Sequence, residues 1–101
     1  MLFMVHAVAD RDTANKIDAE GGPGPIFTKI AERFRPQAIY GNPTLREVRM
    51  IVELETPAKV AELMYVLTWS TGNDPIFTPL VNPEVFDEAL KNAKRIVSPP
   101  K

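Results

Sequence analysis

A single histidine, His6, is the only side chain in these residues that titrates near neutrality without a perturbed environment, which makes it the natural candidate for a general acid or base. Arg49 and Glu53 stand four positions apart in a stretch of alternating polarity. If that stretch is a strand, both project from one face, with Glu47 two positions before Arg49. An arginine so placed can hold a carboxylate in a bidentate fork, and a glutamate can take up a proton where burial raises its pKa. His6, Arg49 and Glu53 are thus the candidate catalytic set. Each has a structural alternative: a core histidine with a satisfied hydrogen bond, and an ion-pair ladder that registers the sheet. Tyr40, Tyr65 and Trp69 combine an apolar body with a polar tip and form the candidate ligand-binding set, with packing or a dimer seam as the competing reading.

Other chemistry is limited by composition. The chain has no cysteine, which excludes disulfides, thiolate catalysis and cysteine-ligated metals, and one histidine excludes a histidine-rich metal site within one chain. Asp10, Asp12, Asp18 and Glu20 cluster in sequence but lack the ligand spacing of a calcium loop, so no metal and no cofactor are expected. The "GGPGP" run at residues 21–25 resembles a phosphate loop only in its glycines. Two prolines remove N–H donors and the signature lysine is missing, which leaves a helix break or a flexible lid. Net charge is -1, from 12 basic and 13 acidic side chains, and offers no footprint for nucleic acid or an anionic membrane.

The elements that position these residues follow from periodicity. A length of 101 residues gives one domain, and the apolar opening "MLFMVHAVAD" is too short to span a bilayer, so it reads as the first strand of a cytoplasmic protein. "RDTANKIDAE" has few apolar anchors and predicts no more than a short, weakly held helical turn. Ile26, Ile30, Ala31 and Phe34 at helical spacing predict a helix over about 25–35, ended by Pro36. "QAIYG" and "EVRMIVELE" read as strands. Thr56 and Pro57 supply a cap and a first helical position, and Val60, Leu63, Met64 and Leu67 stripe the helix that Gly72 closes. "IFTPLV" reads as an edge strand because Pro79 cannot donate to a ladder. Asn82 and Pro83 start a last helix to about residue 97, with Phe86, Ala89, Leu90, Ala93, Ile96 and Val97 as one apolar stripe.

The order strand, helix, strand, strand, helix, strand, helix describes an α+β, ferredoxin-like βαββαβ domain with core at about 1–82 and an extra C-terminal helix. Both helices of the repeat cover one sheet face. The other carries Arg49, Ile51 and Glu53 with either Leu2, Met4, His6 and Val8 or Phe3, Val5, Ala7 and Ala9. Either set is too apolar for water alone, which predicts a homodimer whose sheets face one another. The word "PIFT" occurs at 25–28 and 75–78, but the copies fall out of register with a duplication, and their flanks favour a helix for the first and an extended edge for the second.

Over residues 1–82 this order of elements, with the "MLFMVH" strand, resembles the dimeric α/β-barrel superfamily of small ferredoxin-like proteins, which includes muconolactone isomerases and antibiotic-biosynthesis-type monooxygenases. The resemblance implies a pocket between helices and sheet or inside the dimer barrel, for an apolar or aromatic small molecule. It also implies an isomerase or monooxygenase working without a cofactor; the alternative is a non-enzymatic binding or assembly module.

Overall fold

The computed structural model describes residues 1–101 and has an α+β architecture of four antiparallel strands in one sheet with four helices. The elements are β1 (Leu2–Val8), α1 (Arg11–Ala19), α2 (Gly24–Phe34), β2 (Ala38–Asn42), β3 (Glu47–Glu53), α3 (Pro57–Thr71), β4 (Ile76–Leu80) and α4 (Glu84–Lys94). In the sheet they lie in the order β2-β3-β1-β4, with every neighbouring pair antiparallel. No helix is long and apolar enough to cross a membrane.

Alternation along the central strands decides which residues make the core. Phe3, Val5 and Ala7 of β1 and Val48, Met50 and Val52 of β3 point to the helices, where Val5, Met50 and Val52 are essentially inaccessible. Leu63 and Leu67 of α3 and Ile30 and Phe34 of α2 close over them. Phe3 also meets Phe77 of β4 edge to face, with ring centroids 5.9 Å apart. The choice between the two sets of β1 is thereby made: Leu2, Met4, His6 and Val8 take the face that no helix covers.

Local chemistry sets most element ends as expected. The Thr56 hydroxyl accepts from the Lys59 N–H at 3.2 Å and Pro57 opens α3. Gly72 closes that helix at φ 76 with its N–H on the Thr68 carbonyl. Arg35 ends α2 in the left-handed region before Pro36. Pro79 lies in β4, an edge strand paired only with β1. The two "PIFT" words fall in α2 and at the start of β4.

The segment after β1 departs from expectation. In place of a weak helical turn, α1 runs for nine residues, and with it the chain has four helices rather than three. Its strength lies in the residue just before it rather than in apolar anchors. Asp10 caps it, accepting from the Asp12 and Thr13 N–H groups at 3.0 and 3.1 Å and from the Thr13 hydroxyl at 2.6 Å. The Asp10 N–H in turn donates to the Thr71 carbonyl at 2.7 Å, which ties α1 to the end of α3. A Cβ on residue 72 would overlap the Asp10 carboxylate, so Gly72 is needed for space as well as for its positive φ.

Candidate functional site

The inward side chains of β1 shrink along the strand, from Phe3 and Val5 to Ala7, with Ala9 just beyond it. The space they leave is a cavity of about 370 Å³ between α1, α2 and the sheet. Ala7 and Val48 form its floor, and Ala14 and Ile17 of α1 its roof. Ile26, Phe27 and Ile30 of α2 make one wall, and Leu67, Ser70 and Thr71 of α3 another. Small residues keep it open. The β2 backbone at Gly41 also borders it, where a Cβ would stand 3.7 Å from the Phe27 ring.

Polar groups gather at one end of this cavity. Arg46 follows the β2–β3 turn with a positive φ of 51, and its guanidinium reaches back to α1, donating to Asn15 Oδ1 at 2.6 Å and standing 3.3 Å from Asp18 Oδ2. The Ala9 N–H donates to the Arg46 carbonyl at 3.0 Å. Arg46, Asp18 and Asn42 therefore form a polar mouth on an apolar chamber, and the Arg46 clasp holds α1 over it. The Thr71 hydroxyl, on the far wall, is already committed to the Leu67 carbonyl at 2.6 Å.

The six residues singled out from sequence lie elsewhere, in two groups. His6, Arg49, Glu53 and Tyr40 belong to the sheet face that no helix covers. Register places His6 opposite Arg49 and Arg49 opposite Tyr40, with Ile76 completing the row on β4. Arg49 is engaged within its own strand, its Nε donating to Glu47 Oε1 at 2.6 Å, and Glu53 takes the amino group of Met1 at 2.6 Å. The Arg49 hydrogen bond holds the Glu47 carboxyl below the usual carboxylate range. Burial works against that lowering, while the charges of Arg49 and His6 add to it. The same pairing raises Arg49.

Tyr65 and Trp69 sit together on the outer side of α3, rings 5.2 Å apart and largely exposed. Trp69 borders a second, shallower depression of about 460 Å³ between α2 and α3, whose rim holds the bidentate Arg33–Glu62 pair at 2.7 and 3.0 Å. The row of His6, Arg49 and Tyr40 emerges only in the structure: from sequence the facing of His6 stayed open and Tyr40 was grouped with Tyr65 and Trp69. The resemblance implied a pocket between helices and sheet, yet none of the six residues lines this cavity. The signal for it was present in the falling size of the inward residues Phe3, Val5, Ala7 and Ala9. Nowhere are three or more His, Asp or Glu side chains gathered as ligands for a metal ion. No family model matches this chain, and no curated protein is significantly similar to it.

Proposed function

We propose that this protein binds an apolar small molecule bearing a polar head in the cavity beneath α1, and that it works as a homodimer through the open sheet face. The observation that carries the binding reading is the cavity itself: about 370 Å³, walled largely by apolar side chains from three helices and the sheet, with Asp18, Asn42 and Arg46 at its mouth and Ser70 and Thr71 on the far wall. Small-molecule sites have this make-up, in chambers of about 300–1,000 Å³. Arg46 at the mouth suits an anionic or carbonyl-bearing head, since exchanging the exposed Asp18 for a ligand group costs little.

Binding without chemistry is the better-supported form of this reading. None of the candidate catalytic residues His6, Arg49 and Glu53 borders the cavity. The strand order β2-β3-β1-β4 supports the ferredoxin-like reading, with α1 as an addition before the first helix of the repeat. The open face, with Leu2, Met4, Ile51 and Leu80 in adjoining rows, supports a second copy as its cover.

The row His6, Arg49 and Tyr40 favours one further reading, a cofactor-independent isomerase or monooxygenase site between two facing sheets. The two readings separate on one titration. An environment-sensitive apolar dye such as anilinonaphthalene sulfonate is expected to bind the wild type and to lose at least tenfold in affinity in Ala14→Leu, which fills the roof of the cavity. Equal affinity in Ala14→Leu, with loss in His6→Ala, would move the site to the open face.

A further inference from the structure

The helix α4 is at odds with its surroundings. Phe86, Ala89, Leu90 and Ala93 make an apolar stripe, yet no residue of α4 is buried, and Phe86 and Leu90 are 63% and 52% exposed. The chain is correspondingly elongated, 56 × 29 × 21 Å, with a radius of gyration of 17.1 Å, against about 13 Å for a compact chain of this length. An isolated helix shorter than about 12–15 residues is marginal in water, and α4 has eleven. Its stripe therefore requires a partner that its own chain does not supply.

Charge identifies that partner. The first half of α4 is acidic, with Glu84, Asp87 and Glu88, and the second half basic, with Lys91, Lys94 and the following Arg95. Asp87 and Lys94 lie two turns apart on one border of the stripe, whereas Glu88 and Arg95 lie on the side turned away from it. If two such helices pack antiparallel about a two-fold axis near Leu90 and Lys91, each border meets its own copy reversed. Asp87 then faces Lys94 of the second copy. Parallel packing would lose that pairing and set acidic half beside acidic half and basic beside basic.

We infer that α4 is a self-pairing arm that packs antiparallel against α4 of a second copy of this chain, apolar stripe to apolar stripe. The stripe gives the drive, and the Asp87–Lys94 border gives direction and register. This pairing is independent of what the cavity holds and of any contact through the open sheet face.

The chain has no cysteine, so single introduced thiols report the pairing directly. Asp87→Cys and Lys94→Cys proteins, prepared separately and then mixed and oxidised, are expected to form several-fold more disulfide-linked dimer than either alone. In the antiparallel pair the two 87 positions are about 10 Å apart along the axis, beyond the Cα separation of about 7 Å that a disulfide tolerates. No α4 residue is buried, so both variants retain the fold, which circular dichroism verifies. Stronger linking of either variant alone, or no linking in the mixture, would overturn the inference. A chain that sediments as a dimer while the mixture fails to link would place the association on the sheet face and still overturn the arm.

Discussion

The two faces of the sheet are built from alternate residues of the same strands, and they differ in what they bury. On the covered face Val5, Met50 and Val52 are closed off under α2 and α3, and beside Ala7 lies the cavity with its polar mouth. On the open face Met4 and Ile51, opposite one another, are only half-buried. A one-residue step along β1 thus separates a side chain whose loss leaves a void from one whose loss leaves water. The covered face holds the monomer together and carries the cavity, whereas the open face is free to meet another surface.

That contrast is sharpest at the core. Leu63→Ala removes a fully inaccessible side chain and should cost about 2–5 kcal/mol in denaturant unfolding. Ile51→Ala, on the opposite face, should cost about 1 kcal/mol or less in the monomer, and a cost equal to that of Leu63→Ala would break the contrast. Gly72→Ala should follow, at about 1–2 kcal/mol. It strains a residue at φ 76 and displaces the Asp10 cap, so the amide protons of α1 should lose protection from exchange before those of α3. Thr56→Ala, which removes one capping hydroxyl, should cost about 1 kcal/mol.

The smallest effect is expected from pH. Asp10 beside the covered face and Glu47 at the end of β3 both have carboxyls lowered from ordinary values of 3.8 and 4.5, Asp10 chiefly by the Thr13 hydroxyl and Glu47 chiefly by Arg49. A lowered folded-state pKa gives stability that is complete above the unfolded value and fades as pH falls through the folded one. Thermal midpoints should therefore be flat above about pH 5 and decline in acid. Asp10→Asn and Glu47→Gln should each flatten part of that decline, since neither amide titrates.

Sequence periodicity carried the fold far where one side chain settled one choice. Thr56, Pro57, Gly72 and Pro79 act through local geometry, and their positions in the structure match their chemistry. For α1 periodicity was silent, because that helix is held by a capping carboxylate and by a hydrogen bond from Asp10 to Thr71, sixty-one residues away in the chain. Which residues line the cavity was hidden for a related reason. A gap is created by what Ala7, Ala14 and Gly41 lack, and their convergence exists only after three elements have packed. For α4 the stripe was legible but its setting was not, since an apolar stripe does not say which chain will cover it.

The claim that the covered face binds a small molecule is tested most directly by mapping amide shifts while anilinonaphthalene sulfonate is titrated into the isotope-labelled protein. Saturable shifts at Ala14, Ile17, Phe27 and Val48, with Met4, Ile51 and Tyr40 unmoved, are the predicted result. Shifts confined to Met4, Ile51 and Tyr40 would contradict the account and place the ligand on the open face.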